Sequence, residues 1–434
     1  MSSLALGFTG FAAIVVLIAM RVPVGLALAA VAFVGLILVV GLDIAFSLIR
    51  ILPFDFAANW DLSAIPMFLL MGSVAHRSGM TSKLFDAARL WFGHYPGGLA
   101  IATNFACAGF ASASGSSLAT TMAMGRITIP EMLNHRYDPG LATGVVACAG
   151  TLGILIPPSI IMVIYGIFAE VSVAALFIAG IVPGILTAVV YAGQIALRCI
   201  LNPNLAPRIE ERPGWSEKFA ALREVWPLPI LILGVIGGIY AGIATPTEAG
   251  ALGAFLAVAI AVAMRKLTWA QFREAAREAI FSTASIFFVA IGAVLLTRFM
   301  AFSGVPTFLG NTIQDFSIDP VWVVVGAGIV YLLLGMFLDP LGMMLLTLPV
   351  FLPMFFALKI DFIWFGILLV KFIEIGLITP PVGLNVYGVK VMCPEIPLET
   401  IFKGASWFLL SELVIVTLLI AFPAITLWLP SLMY

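Results

Sequence analysis

Long apolar runs, separated by short polar stretches, recur from one end of this chain to the other. Residues 4–20 and 22–40 are two such runs with only Arg21 between them. Because a helix needs about 20 mostly apolar residues to cross a bilayer, this pattern predicts a polytopic all-α membrane protein. Further spans are predicted at residues 171–197, 225–241, 246–264, 280–301 and 407–429, with a shorter apolar helix at 64–78.

Two segments instead mix charged and large apolar residues. Residues 80–95 place Lys83, Asp86 and Arg89 beside apolar side chains, and residues 266–278 repeat the mixture. Helices of this composition lie along a membrane surface, so both segments are predicted to be amphipathic arms. Residues 41–63 are predicted to be interfacial, and residues 202–224 to form a polar loop.

Two apolar segments have interrupted centres. Residues 98–133 contain a run of serine, threonine and glycine, and each half is shorter than a full span. We interpret this segment as a re-entrant helical hairpin with its tip at residues 114–117. Residues 320–358 break at residues 335–340, which predicts a second hairpin.

Two further segments contain adjacent prolines. Pro157-Pro158 lies within residues 141–165, Pro380-Pro381 lies within residues 362–391, and the two pairs are 223 residues apart. Proline removes a backbone donor and breaks a helix. In a bilayer such breaks are tolerated inside the protein or beside a wet cavity, and matched breaks in two halves indicate a transporter's binding site. We therefore predict two repeats, each with a hairpin and a broken helix.

Lysine and arginine predict the orientation of the spans. Residues 202–224 and residues 265–277 are both rich in these side chains, which predicts that both are cytoplasmic. Counting spans from them places the N-terminus outside. The first hairpin then enters from the cytoplasm and the second from outside, so the two repeats are predicted to be inverted, a plan that implies alternating access around a midplane site.

These elements divide the chain into scaffold and transport parts. The predicted parts are N-terminal scaffold helices at 1–63, a connecting and amphipathic arm at 64–95, a first transport half at 96–170, scaffold helices with a cytoplasmic loop (202–224) at 171–265, a second arm and connecting helix at 266–301, a second transport half at 302–404 and a C-terminal scaffold helix at 405–434.

Composition excludes several other classes. Hydrophobic residues make up 62% of the chain and charged residues 10%, and the net charge of −1 argues against a nucleic-acid partner. The four cysteines lack metal-site spacing. No H-E-x-x-H or phosphate-loop motif occurs, and the serine-rich tip has no G-x-S-x-G, so neither an enzyme nor direct use of ATP is expected. The N-terminal run lacks a preceding basic region and is interpreted as a membrane helix, not a signal peptide.

Four pieces of the sequence together resemble a known family. They are Ile156-Pro-Pro-Ser-Ile-Ile-Met-Val-Ile-Tyr-Gly166, Leu334-Gly-Met-Phe-Leu-Asp339, Gly376-Leu-Ile-Thr-Pro-Pro381 and Thr245-Pro-Thr-Glu248. Over essentially its whole length the chain resembles the large membrane subunit of tripartite ATP-independent periplasmic (TRAP) transporters.

The resemblance implies an elevator-type importer of the bacterial inner membrane, driven by Na⁺ as the coupling ion and using no organic cofactor. Its substrate would be an organic acid, such as a C4-dicarboxylate, sialic acid or a similar carboxylate. It also implies two partners, a periplasmic substrate-binding protein and a small four-helix membrane subunit. This chain has no room for the small subunit, which is expected to be a separate chain.

The family's sodium sites fall on two matched sets of positions, at hairpin tips and unwound helices that supply oxygen ligands. The resemblance assigns the first site to Ser114, Gly153, Ile156 and Pro158, and the second to Gly335, Asp339, Gly376, Thr379 and Val382. A carboxylate in an apolar run, as at Asp339, is a functional candidate by default. An aspartate before Pro340 also fits a helix N-cap, and the two roles are compatible.

The substrate carboxylate needs hydrogen-bond donors near the middle of the membrane. The candidates are Ser116, Ser117, Thr120 and Thr121 beside the first tip, and Asn385 after the second break. Each hydroxyl has the alternative of bonding back to a helix carbonyl.

Other charged residues are assigned less directly. Arg126 lies beyond the first tip and is expected to reach towards the cytoplasm. Lys371 and Glu374 are expected to pair on one helix face, either marking a pathway or cancelling charge at a helix interface. Glu248 is predicted to belong to a capping box with Thr245. A channel is the alternative to a transporter, because broken helices also build selectivity filters.

Overall fold

The computed structural model describes residues 2–207, 213–315 and 319–432, and within these residues every regular element is a helix. Part of the predicted cytoplasmic loop, residues 208–212, lies outside the described residues. The helices of the first half are α1 (Ser3–Ala19), α2 (Val24–Val40), α3 (Leu42–Ala57), α4 (Ala64–Arg77), α5 (Met80–Phe92), α6 (Gly98–Ser114), α7 (Ser117–Asn134), α8 (Pro139–Ala149), α9 (Leu152–Leu155), α10 (Ile160–Phe168) and α11 (Val173–Leu201).

The second half follows with the same order of long helices, a hairpin and a broken helix. Its helices are α12 (Trp215–Glu224), α13 (Pro227–Ile232), α14 (Gly238–Tyr240), α15 (Pro246–Ala263), α16 (Trp269–Ser303), α17 (Val305–Asp315), α18 (Pro320–Gly335), α19 (Pro340–Ala357), α20 (Phe362–Ile378), α21 (Leu384–Met392), α22 (Leu398–Ala421) and α23 (Ala424–Leu427). A π-helical stretch, Leu233–Gly237, joins α13 to α14.

Length and composition support the predicted membrane class. Five of the described helices, α11, α15, α16, α19 and α22, are long and apolar enough to cross a bilayer. The number rises to seven if two bent pairs each form one span. One of these pairs is α8–α9 with α10, bent by 42° at the first double proline.

The helices fall into two groups, which meet where α19 packs on α16 and α6 packs on α4. In the first group, α16 lies against α1, α2, α3 and α4, and α15 packs on α4. In the second, α6 to α10 contact one another, α20 contacts α18 and α19, and α22 packs along α8. Helix α11 contacts α6, α9, α20 and α22. This packing places α11, in the predicted scaffold range 171–265, and α22, most of which lies in the predicted scaffold range 405–434, against the hairpins and broken helices.

The arms differ from prediction in two ways. The predicted second arm and the span that follows it form one continuous 35-residue helix, α16, because no glycine or proline lies at the boundary between them. Residues 215–224, predicted as loop, form helix α12. Trp215 and Phe219 lie one turn apart on α12 and both pack against Trp91 of α5, so a contact distant in sequence stabilises this helix.

The start of α15 confirms a local prediction. Thr245 and Glu248 form the capping box of α15, with the Glu248 backbone N–H donating to the Thr245 hydroxyl over 3.3 Å and the Thr245 N–H donating to the carboxylate over 2.8 Å. Residues 41–63 were predicted to be interfacial, and α3 occupies most of them.

Candidate functional site

The first hairpin turns at the predicted serine-rich tip. Helix α6 ends at Ser114, Gly115 takes a left-handed conformation (φ +61°), and Ser116 caps α7. The hydroxyls of Ser114 and Thr120 are 2.6 Å apart, and the Thr120 hydroxyl also donates to the Ser116 carbonyl over 2.9 Å. The tip is therefore a tight turn whose polar groups are tied to one another.

The first broken helix closes on this tip. An ideal Cβ built on Gly153 would lie only 2.4 Å from the Ser116 carbonyl oxygen, so only glycine permits this approach. On the other side of the break, the Pro158 carbonyl is 2.9 Å from an ideal Cβ built on Gly115. Three of the four residues assigned to the first sodium site thus meet at one place. The fourth, Ile156, ends α9, and its side chain packs against α11.

The second hairpin meets the second broken helix in a similar way. Gly335 and Gly376 are in direct backbone contact, since an ideal Cβ on Gly376 would lie 2.8 Å from the Gly335 Cα. The Val382 N–H donates to the carbonyl of Met336 over 3.3 Å. Each double proline contains a cis peptide bond. Both hairpin tips therefore lie against a helix break, where backbone carbonyls lack regular helix partners.

Asp339 occupies the start of α19. One carboxylate oxygen, Oδ2, accepts from the Gly342 N–H over 3.1 Å, and Pro340 takes the first helical position. Asp339 is therefore the N-cap of α19, which was one of its two predicted roles. Its side chain is half-buried. The Thr379 hydroxyl donates to the Ile375 carbonyl over 2.6 Å, which leaves its oxygen lone pairs as acceptors.

Most of the residues predicted to contact substrate are enclosed by protein. Asn385 Nδ2 donates to the Ser117 hydroxyl over 2.6 Å and to the Ala147 carbonyl over 3.0 Å. Thr120 and Thr121 are fully buried. In this conformation Ser117 and Asn385 join the first hairpin to the second broken helix, and Ser116 is the member of the predicted set that faces open space.

A cavity of about 460 Å³ lies beside the first tip, between α4, α7 and α16. Ser114 and Ser116 line it together with the exposed Arg126. Its opposite wall holds an ion pair, with Arg77 Nη2 3.1 Å from Glu278 Oε2. This pair was not predicted from the sequence, although a basic residue at the end of a short apolar helix and an acidic residue just before a span were signals for it.

A buried charged cluster lies close to the second break. Lys371 Nζ is 2.5 Å from Glu374 Oε2, which confirms the predicted pair, and also contacts Glu412 of α22. Glu412 was missed. The only sequence signal for it was a carboxylate inside the last predicted span.

Helices interrupted at matched places, each break met by the tip of a hairpin, are typical of all-α membrane transporters. Comparison with known proteins gives the same class. The family described as "Tripartite ATP-independent periplasmic transporter, DctM component" matches residues 11–425. The chain belongs to this family of large permease proteins, as its sequence motifs indicated.

Individual relatives cover nearly the whole chain. The C4-dicarboxylate TRAP transporter large permease protein DctM of Pseudomonas aeruginosa is 36% identical over 380 residues, 87% of this chain and 88% of that protein. The sialic acid TRAP transporter large permease protein SiaM of Vibrio cholerae is 31% identical over 412 residues, 94% and 95% of the two chains. The solved structure of the Alcanivorax borkumensis YdaH transporter shares the fold, with a TM-score of 0.60 and 16% identity over 88% of this chain and 89% of that chain.

Proposed function

We propose that the protein uses the sodium gradient to import an organic acid across the bacterial inner membrane. The observation that carries this proposal is the meeting of each hairpin tip with a helix break, at Gly153 and at the Gly335–Gly376 contact. Such meeting points concentrate backbone carbonyls, the hard oxygen ligands that a small cation needs inside a membrane. Relatives whose names specify C4-dicarboxylate and sialic acid support a carboxylate substrate.

The two sodium ions would occupy the two tips. The first site draws on Ser114, Gly153 and Pro158, which the structure brings together, with Ile156 beside them. The second draws on Gly335, Gly376 and Val382, with Thr379 and Asp339 as side-chain ligands. The Asp339 cap uses Oδ2, so its second oxygen remains for a cation.

The substrate would enter through the cavity beside the first tip. Ser116 supplies a hydroxyl there and Arg126 a positive charge, which together suit a carboxylate. The cavity lies beside the His76-Arg77 end of α4 and the first turns of α16, both on the predicted cytoplasmic side. We therefore assign this conformation to the inward-open state.

Movement would follow an elevator mechanism. The packing favours a moving unit made of both hairpins and both broken helices together with α11 and α22, sliding against a scaffold of α1 to α4, α15 and α16. This proposal assigns α11 and α22 to the moving unit, whereas the sequence predicted that they belong to the scaffold. A periplasmic substrate-binding protein would deliver the substrate, and a small four-helix subunit on a separate chain would complete the membrane part.

Reconstitution tests the proposed function. In proteoliposomes containing this chain, a small membrane subunit and a matching binding protein, we expect saturable uptake of a carboxylate that stops when the sodium gradient is collapsed. Omission of either partner should reduce uptake to near background. Uptake that continues without a sodium gradient, or full uptake by this chain alone, would contradict the proposal, and non-saturable flux would favour a channel.

Labelling from the two sides of the membrane tests the inverted repeats. Arg136 and Lys359 are exposed residues at the bases of the first and second hairpins. We expect Arg136→Cys to react with an impermeant maleimide only from the cytoplasm and Lys359→Cys only from outside. The four native cysteines are buried, which keeps the background low. Reaction of both variants from the same side would rule out inversion.

A further inference from the structure

The charged cluster between α11, α20 and α22 contains more negative than positive charge. Lys371 and Glu374 come from α20 and Glu412 from α22, and all three side chains are at most 1% exposed. With every group ionised the cluster would carry a net charge of −1. An uncompensated charge enclosed by protein is costly, and a buried group usually avoids it by taking up or releasing a proton.

The hydrogen bonds of the cluster are distributed unequally. Lys371 uses all three of its donors, towards Glu374 Oε2 at 2.5 Å, Glu412 Oε1 at 2.8 Å and the Thr187 hydroxyl at 3.3 Å. Glu412 Oε1 accepts a further hydrogen bond from Tyr191 of α11. Glu412 is therefore well supported as a carboxylate.

Glu374 is supported much less. It accepts one hydrogen bond, from Lys371 through Oε2, whereas Glu412 accepts two, from Lys371 and Tyr191. Each carboxyl group has one buried oxygen without a hydrogen bond among the described residues, Oε1 of Glu374 and Oε2 of Glu412, but Glu412 Oε2 lies 2.7 Å from Lys371 Nζ. A negative charge on Glu374 would have one donor, against two at Glu412. Of the two carboxyl groups, Glu374 is the one whose surroundings favour the neutral acid.

We propose that this cluster is a proton-binding site, in which Glu374 holds one proton while Lys371 and Glu412 remain ionised. The proton binds a carboxylate oxygen of Glu374, and the cluster becomes electrically neutral. Three helices around the second helix break are then joined by charged hydrogen bonds without a net charge in the membrane. Sodium and substrate sites are assigned to other residues, so this role does not depend on them.

Among the residues that the structure describes, few other ionisable groups face the cluster. Tyr191 of α11 and Cys148 of α8 are the two that lie nearest. The Cys148 thiol donates to the Ala405 carbonyl of α22 over 3.8 Å. Tyr331 of α18 hydrogen-bonds to Thr347 and does not take part. Both the tyrosine and the thiol are neutral at physiological pH, so the charge balance rests on the lysine and the two glutamates.

The proposal predicts a specific dependence of stability on pH. The folded cluster holds a proton that an unfolded glutamate has already released at neutral pH, so the folded state binds more protons. By linkage the thermal stability of the wild type must fall as the pH rises from about 6 to about 9. Glu374→Gln leaves one ionised lysine and one ionised glutamate, whose charges cancel without binding an additional proton. We expect this variant to fold and to lose that alkaline decline.

Two further variants complete the test. Glu412→Gln also leaves one lysine and one glutamate, so it should lose the alkaline decline as well, even if Glu374→Gln folds poorly. Glu399→Gln changes an exposed glutamate on the same helix as Glu412 and should keep the wild-type profile. All proteins are purified at full length and unfolded thermally in one detergent.

Infrared spectroscopy provides an independent measurement on the folded protein. The wild type should show the carbonyl band of a buried protonated carboxyl, shifted in D₂O, and both cluster variants should lose it while Glu399→Gln retains it. If the band is absent from the wild type, or if wild type and both cluster variants share one stability profile, the cluster holds no proton and the proposal is wrong.

Discussion

Replacing Gly153 with alanine is expected to remove most sodium-dependent uptake while the helices remain folded. The new Cβ would lie 2.4 Å from the Ser116 carbonyl and 2.6 Å from the Thr120 hydroxyl, whereas ordinary contacts begin at 3.4 Å. The first tip must therefore move away by about 1 Å, and overpacking of this size costs about 1–3 kcal/mol. If that strain is relieved by opening the proposed sodium site, the affinity for sodium falls roughly 5- to 150-fold.

The measurement is the sodium concentration that gives half-maximal uptake in the reconstituted system. Gly326→Ala is the matched control, because α18 has open space at this position and nothing lies within 4 Å of the new Cβ. Gly376→Ala should behave like Gly153→Ala, since its Cβ would press on the Gly335 Cα at 2.8 Å. Unchanged sodium dependence in both site variants would show that close contact at the tips is not needed for ion binding.

The two hairpin tips are examples of features that could be predicted from the sequence. Breaks and caps are encoded locally, because proline lacks a donor and a serine or aspartate side chain caps the helix that follows it. The turn after Ser114, the cap at Asp339 and the capping box at Thr245 therefore lie where the sequence predicted them. The positions of both helix breaks follow from the same local chemistry.

Contacts between distant segments were not predictable in this way. Ser117 and Asn385 were both chosen as substrate donors, yet they bond to each other across 268 residues. Nothing local to either residue signals that partner. In the same way Lys371 was paired only with its neighbour on the helix, while Glu412 supplies a second carboxylate 41 residues away. Tertiary packing, which periodicity does not report, decides these contacts.

The grouping of helices into scaffold and moving unit also depends on contacts between distant segments, which the local sequence does not predict. Helices α11 and α22 have the length and composition of ordinary spans, and order along the chain assigned them to the scaffold. Tyr191 of α11 instead donates to Glu412 of α22, and Glu412 in turn accepts from Lys371 of α20. Breaking this buried cluster to slide α20 past its neighbours would leave charges unpaired in the membrane, which is strongly unfavourable. The three helices are therefore expected to move together.

Replacing Asp339 with asparagine is expected to weaken sodium coupling without unfolding the protein. Asparagine caps a helix nearly as well as aspartate, so the hydrogen bond from the Gly342 N–H should persist. The negative charge is lost. At an effective dielectric constant near 20, two unit charges about 4 Å apart interact by about 4 kcal/mol. Desolvation offsets much of this attraction, which leaves a net loss of about 1–3 kcal/mol, or roughly 5- to 150-fold in sodium affinity.

Two comparisons separate the charge of Asp339 from its cap. Asp339→Ala removes both, so it should lose about 1 kcal/mol of stability in addition to the sodium effect. Thr379→Val removes one neutral oxygen and should raise the sodium requirement less than Asp339→Asn does. Sodium titrations of uptake, with thermal unfolding measured in parallel, distinguish these outcomes. If Asp339→Asn transports with the wild-type sodium dependence, the carboxylate is only a helix cap, and backbone carbonyls near Gly335, Gly376 and Val382 must hold the second ion without it.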